Sequence, residues 1–381
     1  MPSRVLISAG EASGDLYAGA LVDALKKQAP DIEFFGCAGP NMRRAGVRQV
    51  VDSASLSVVG LVEVVTHLPR IHGEYRKLVD AARAERPDAA ILTDSPDFHL
   101  RLAKQLKRLG IPVVYLVAPQ VWAWRKGRLP LMRRLIDKLL CIFPFEEAFF
   151  AKHGIDAQYI GHPLTRLLRP PTARIEMRRE LGVRPDETLI ALLPGSRKGE
   201  IARHLPFLKD AAQRIAGVRH PAPRFVLALP PGINIKERFS GSSIQIMEGR
   251  TWGVLACADL ALAASGTVTI EAALLGTPMV TFYRVNRLSW LMGKLLVRVP
   301  FYSMVNLIAG RRIVPELIQG EMTGERLAGE ALRLLDDPEA IETMRRDLRT
   351  VAANLSGKDD PMEVAASVVR KFLKEEFVHV S

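Results

Sequence analysis

The chain has 381 residues, long for one hydrophobic core, and its length predicts two domains or three. A hydrophobic content of 48% and a charged content of 25% exclude an intrinsically disordered chain. Fifty-three Lys and Arg against 41 Asp and Glu leave a formal charge of +12, a field that favours phosphate-bearing partners. The basic clusters (Arg125 to Arg128, Arg133-Arg134, Arg166 to Arg184, Lys294 to Arg298, Arg311-Arg312) match no helix-turn-helix, finger or RNA-recognition signature. No nucleic acid is therefore expected as partner, and an anionic membrane face or a phosphorylated small molecule ranks above it. The longest uncharged stretch, Leu109 to Trp124, has 16 residues and two prolines, too short and too broken to span a bilayer. Glu11 and Asp15 interrupt the apolar run that a signal peptide needs, so a cytoplasmic location is expected. Cys37, Cys141 and Cys257 lie far apart without a C-x-x-C, which predicts buried small hydrophobes and neither disulfide nor metal centre.

Short apolar or β-branched runs alternate with helical patterns, the signature of an α/β fold with parallel sheets. The first strands are predicted at Arg4–Ala9, Glu33–Cys37, Asp88–Thr93, Pro112–Val117 and Lys138–Phe143. After the first comes "AGEASGD", with Gly10 and Gly14 where a nucleotide-binding domain keeps its phosphate loop. The spelling is not G-x-G-x-x-G, no G-K-[ST] follows, and two acids oppose a phosphate, so another ligand is expected there. "LTDSPDFHLR" (Leu92 to Arg101) sets Asp94, Asp97 and His99 after a buried-type strand, the edge at which ligands of parallel sheets bind. A carboxylate held beside a substrate hydroxyl serves as general base. Asp97 is assigned that role, Asp94 a supporting one, and His99 is the alternative base; the plainer reading of either Asp is a turn capping the next helix. In "VAPQVWAWRKGR", Trp122 and Trp124 beside Arg125 read either as a stacking surface or as core.

"HPLTRLLRPPTARIEM" holds Pro170-Pro171, which forbids helix and marks the boundary between domains. A second series follows at Thr188–Leu193, Arg224–Leu229, Ser243–Met247, Ala258–Ala263 and Pro278–Tyr283. "LLPGSRKGE" repeats the strand–glycine loop–helix order of the first motif, with Gly195 and Ser196 freeing the backbone and Arg197 and Lys198 supplying charge. By itself such a loop is more often a solvated basic turn. It is joined by "LAASGTVTIEAALLGTPMV", where Ser265, Gly266 and Thr267 open a helix and Glu271 follows one turn later. That carboxylate either accepts both hydroxyls of a ribose or merely complements the helix dipole. Together the two loops predict a nucleotide diphosphate site. Asp337-Pro338 and Asp360-Pro361 read as helix starts, the last helix running from Pro361 to about Glu376 with Val364, Val368 and Phe372 on one face. The expected architecture is two Rossmann-like, doubly wound domains facing a central cleft: residues 1–165, residues 166–345, and C-terminal helices (346–381) packing back on an N-terminal domain.

In order along the chain, "AGEASGD", "AGP" (Ala38 to Pro40), "VVGLVEVV" (Val58 to Val65), "DSPDF", "APQVWAWR", "FPFE", "IGHP", "LLPGSRKGE", "ASGTVTIEAAL", Tyr283-Arg284 and "NLIAGR" (Asn306 to Arg311) resemble the lipid-A-disaccharide synthases, inverting glycosyltransferases of the GT-B fold. The likeness covers about the first 320 residues. It implies transfer of diacylglucosamine from UDP-2,3-diacylglucosamine to the 6-hydroxyl of 2,3-diacylglucosamine 1-phosphate (lipid X), without metal or other cofactor. It also implies Asp97 as base, Arg197 with Ser196 at the leaving diphosphate, and Ser265, Gly266, Thr267 and Glu271 around the nucleotide. Tyr283, Arg284, Asn306 and Arg311 fall near the donor, while Gly10, Glu11, Ser13 and Gly14 form an acceptor loop in which Glu11 and Ser13 bond sugar hydroxyls or help orient the nucleophile. His99 departs from the Asn that family members often carry after this motif. "SLSVVGLVEVVTHLP" (Ser55 to Pro69) is either an acyl groove or bilayer-dipping segment, or an ordinary core helix. The implied setting is the anionic cytoplasmic face of the inner membrane, with a homodimer left open. Rival readings are a UDP-N-acetylglucosamine 2-epimerase, a lipid II-forming transferase, and a basic membrane or nucleic-acid binder.

Overall fold

The structure, a computed structural model, describes residues 2–56, 61–170, 172–233, 235, 243–286, 290 and 299–373. The chain divides into two compact units, residues 1–163 with 355–381, and residues 164–354. The first holds a parallel sheet of β1 (Arg4–Ala9), β2 (Glu33–Ala38), β3 (Arg48–Asp52), β4 (Ala89–Thr93), β5 (Val113–Leu116), β6 (Lys138–Cys141) and β7 (Ala157–Tyr159), in the order β3-β2-β1-β4-β5-β6-β7. The second unit holds β8 (Leu189–Leu193), β9 (Arg224–Leu229), β10 (Ile244–Glu248), β11 (Leu260–Ala264), β12 (Met279–Tyr283) and β13 (Glu316–Ile318), in the order β10-β9-β8-β11-β12-β13. Both sheets run third-second-first-fourth-fifth-sixth, the doubly wound Rossmann order. Their switch points lie between β1 and β4 and between β8 and β11, and the crevice beyond the carboxyl ends of those strands is where such sheets hold ligands.

Sheets covered by helices on both faces need strands without a polar side. "AAILT" of β4, "LIALL" of β8 and "LALAA" of β11 are buried at every position. An acid ahead of three strands fixes how they line up. Asp88 accepts the Arg4 N–H at 3.0 Å, Asp137 that of Val113 at 2.7 Å and Asp259 that of Leu189 at 2.8 Å. Each carboxylate satisfies the first amide of the neighbouring strand and pins the pair at its amino end.

The helix Pro338–Leu355, capped by Asp337 on the Ala340 N–H at 2.9 Å, buries Met344 and Leu348 in the second unit. The chain then crosses back: the Leu355 carbonyl accepts the His162 N–H at 3.0 Å and the Tyr159 hydroxyl at 3.1 Å. The helix Pro361–Arg370, capped by Asp360 on the Met362 N–H at 2.8 Å, buries Met362, Ala365 and Val369 and ties to the helix Ala12–Gln28 through Gln28 Nε2 and Glu363 at 2.8 Å. The divisions drawn from sequence at 165 and 345 thus fall at 163 and 354, because Pro338–Leu355 belongs whole to the second core up to its last residue. Pro171, Ser57 to Gly60, Lys294 to Arg298 and the residues after Leu373 lie outside the described residues. Among the described residues no helix is long and apolar enough to cross a membrane.

Candidate functional site

At the first switch point the motif after β1 is held by the motif after β4. Asp94 Oδ1 accepts the Gly10 N–H at 2.9 Å and Oδ2 accepts the Glu11 N–H at 3.0 Å. Gly14 is required here, since a Cβ on it would overlap the Asp94 carboxylate. Asp94 and Ser95 both take left-handed backbone, φ 56° and 34°, and Val117 at the end of β5 does so at φ 64°. Such conformations are costly for residues with a Cβ, most of all a β-branched one, and gather where a site over-determines the backbone. Burial, with the Glu11 charge added, pushes the Asp94 carboxyl up to about 8. Asp15 supports the next loop: its oxygens accept the backbone N–H groups of Gly39 (2.8 Å), Asn41 (2.8 Å) and Met42 (3.1 Å), capping the helix Pro40–Arg44.

Asp97, in the first turn of the helix Pro96–Arg108, keeps 71% of its side chain exposed. Two guanidiniums meet it. Arg125 Nη1 lies 3.1 and 2.9 Å from its two oxygens, and Arg128 Nη2 donates to Oδ1. The segment carrying both arginines is anchored by Trp122, whose indole N–H donates to Glu146 at 2.9 Å. Glu146 is fully buried and also accepts the Phe143 N–H at 3.1 Å; burial lifts its carboxyl to about 7. "APQVWAWR" and "FPFE" are thereby one lock. The Trp122 ring meets Phe145 edge-on at 5.0 Å, so this Trp packs rather than standing free.

The second switch point carries the loop after β8. Gly195, at φ +115°, sits against the Glu200 carboxylate, which would overlap any Cβ there and which accepts the Ser196 N–H at 3.3 Å. Ser196 and Arg197 are exposed, and Arg197 opens the 21-residue helix Lys198–Val218. His204, fully buried, donates from Nδ1 to the Pro194 carbonyl at 2.7 Å and accepts the Arg284 N–H at 3.2 Å, joining this loop to the one after β12. Tyr283 bonds to Glu200, and burial with the Glu200 charge raises its phenol to about 12. After β11, Gly266 and Thr267 are exposed at the start of the helix Thr267–Leu274, and Ser265 donates its hydroxyl to the Tyr302 carbonyl at 2.7 Å. Glu271 is half-buried, its carboxyl pushed by burial to about 7, with the Trp252 indole N–H donating to it.

Two Rossmann units with loops at both switch points match a known set of proteins. The family model described as Lipid-A-disaccharide synthetase matches residues 5–368. The chain belongs to that family. A lipid-A-disaccharide synthase of Solibacter usitatus is 56% identical over 381 residues, 99% of this chain and 100% of that protein. Among solved structures, a putative UDP-N-acetylglucosamine 2-epimerase of Listeria monocytogenes superposes with TM-score 0.68 at 16% identity, covering 97% of this chain and 96% of that one. CalG4, the calicheamicin glycosyltransferase, does so with TM-score 0.62 at 16% identity, covering 97% and 98%. The fold is therefore GT-B, and the family makes this chain a glycosyltransferase.

Of the expected site residues, His99 and Asn306 are fully buried, while Arg311 and Arg284 are held by partners of their own. His99, the alternative base, has no exposed surface: Nδ1 donates to the Asp94 carbonyl at 3.0 Å and Nε2 meets the Ser8 hydroxyl at 2.8 Å. Burial lowers its pKa to about 4, so it is a neutral core residue that, with the Tyr115 hydroxyl, holds the Asp94 backbone. Asn306 is likewise sealed, its amide bonding Val314 O (3.0 Å) and Glu316 Oε1 (2.8 Å) and its carbonyl accepting the N–H of Ile313 (2.7 Å) and Val314 (3.0 Å). Arg311 pairs with Asp347 at 2.6 Å. Arg284 stacks over Phe207, 4.6 Å to the ring centroid, and reaches the Met322 carbonyl at 3.4 Å. Sequence reading missed the supporting residues His204, Trp252 and Glu316, and quoted Glu146 (in "FPFE") and Glu200 (in "LLPGSRKGE") without giving either a role. Arg125 and Arg128 stood in a noted basic cluster without a role.

Proposed function

We propose that this chain transfers 2,3-diacylglucosamine from UDP-2,3-diacylglucosamine to the 6-hydroxyl of lipid X with inversion, giving a β-1,6-linked disaccharide 1-phosphate and UDP. The observation that carries the mechanism is the division of chemistry between switch points: an exposed carboxylate, Asp97, at one and an exposed guanidinium with a glycine loop, Gly195 to Arg197, at the other. Asp97 takes the proton of the 6-hydroxyl as that oxygen bonds to the donor's anomeric carbon. The bond from that carbon to UDP breaks, and its electron pair departs on the diphosphate. Arg197 and the amides opening the helices Lys198–Val218 and Thr267–Leu274 stabilise this developing charge. Glu271 accepts the ribose hydroxyls. The loop Gly10 to Gly14, fixed by Asp94, presents Glu11 and Ser13 to the acceptor sugar. A surplus of 12 positive charges and two acylated substrates favour work at an anionic membrane surface.

The test is turnover of purified protein with both substrates, following UDP. Asp97→Ala lowers kcat by about 10²–10⁴, the usual worth of a general base, and leaves UDP affinity unchanged. Arg197→Ala lowers kcat by about 10²–10³, in the range of a lost oxyanion donor. Near-normal turnover in Asp97→Ala removes the base from Asp97 and moves the role to Glu11.

A further inference from the structure

A carboxylate that already accepts three donated hydrogens keeps a single acceptor site for a substrate hydroxyl. Asp97 is in that condition: Arg125 lies 3.1 and 2.9 Å from its oxygens and Arg128 donates to Oδ1 as well. The partners differ in how firmly they are placed. Arg128 has only 16% of its side chain exposed, while Asp97 has 71%. The Trp122–Glu146 lock holds the segment from which both arginines project. The less exposed half of the cluster is therefore cationic, two guanidiniums at 36% and 16% exposure, and the solvent-facing half is the acid. A guanidinium fork fits phosphate oxygens as well as carboxylate oxygens, and a dianion competes for two such forks better than a monoanion does.

We infer that Arg125 and Arg128 are the receptor for the acceptor's 1-phosphate, and that its arrival draws them off Asp97 and frees the base. This rests on the reading of Asp97 given under the proposed function. The 1-phosphate on C1 and the 6-hydroxyl arm carried by C5 flank the same ring oxygen of one hexose, so an arginine now on Asp97 covers the interval by turning about its own side-chain torsions. Coupling of this kind makes the base fully available only when a phosphorylated acceptor is in place, which protects the donor from transfer to water.

The experiment compares kcat/KM for lipid X and for its dephosphorylated form, 2,3-diacylglucosamine, in neutral detergent micelles. The unaltered enzyme prefers the phosphorylated acceptor by about 100-fold, the scale of two lost charge-assisted contacts. Arg125→Gln and Arg128→Gln each reduce that ratio about tenfold, almost wholly through lipid X, and Arg128→Lys, which keeps charge without the fork, falls between. Phosphatidylglycerol added to the micelles leaves the ratio unchanged; a ratio that collapses with it assigns the pair to a lipid headgroup and overturns the inference. Asp97→Asn removes the internal competitor, so lipid X binds this variant several-fold more tightly by equilibrium titration. Equal ratios in the unaltered enzyme and both Gln variants, or weaker binding to Asp97→Asn, reduce the pair to a brace for Asp97. An enzyme that uses neither acceptor refutes the proposed function itself, whereas normal use of lipid X with an unmoved ratio refutes only the phosphate receptor.

Discussion

Replacing Asp94 by Asn isolates the acid that holds the first loop. Its carboxyl titrates near 8 in the folded protein against an ordinary 3.8, chiefly because it is buried. Across that interval the folded state keeps a proton that the unfolded chain releases. Stability from this group is complete below about pH 4 and is lost as pH rises toward 8, at about 1.4 kcal/mol per pH unit in the middle of the window. From pH 5 to pH 7 the unaltered protein therefore loses about 2.7 kcal/mol that Asp94→Asn does not. The variant also carries a pH-independent penalty of about 1–3 kcal/mol, because its amide nitrogen cannot accept one of the two N–H groups now bound by the carboxyl. Guanidinium unfolding of both proteins at pH 5, 6 and 7, read through the tryptophans, separates slope from offset. Parallel pH slopes would falsify the raised carboxyl and mean that the two amides hold Asp94 as an anion.

Three further outcomes are expected. On the proposed ribose role, Glu271, with its carboxyl near 7, accepts both hydroxyls only when ionised, so affinity for UDP rises about tenfold between pH 6 and pH 8. Trp252→Phe shifts that rise to higher pH, because the indole N–H favours the charged form; a flat profile in calorimetric titration sinks the ribose role. Asn306→Ala orphans the amides of Ile313 and Val314 at about 1–3 kcal/mol each, lowering Tm while the folded fraction binds UDP normally. A raised Kd for UDP with unchanged Tm would return Asn306 to the donor site.

Central strands were legible in the sequence because burial on both faces writes an unbroken apolar run, as in "LIALL" and "LALAA". The three strands absent from that reading, Arg48–Asp52, Ala157–Tyr159 and Glu316–Ile318, are all sheet edges. An edge strand packs against one neighbour only, and "RQVVD" and "AQY" keep exposed or half-buried positions that look like loop. The loops at both switch points were readable from glycine, acid and base spacing. What was not readable is which polar residue is open to solvent and which faces inward. His99 and Asp97 stand two residues apart on one helix, yet the first is sealed under the loop and the second is open to solvent. Nothing in their spacing distinguishes the buried side chain from the exposed one, because that depends on Ser8, Tyr115 and Arg125, contributed from distant parts of the chain.

Discontinuity of the first unit has a consequence during synthesis. Its last helix, Pro361–Arg370, leaves the ribosome only after the whole second unit, so the groove that Met362, Ala365 and Val369 fill stays open while the second unit already closes. The first unit is thus the last to mature, and a stop codon between residues 355 and 361 leaves a finished second unit joined to an unsealed first one.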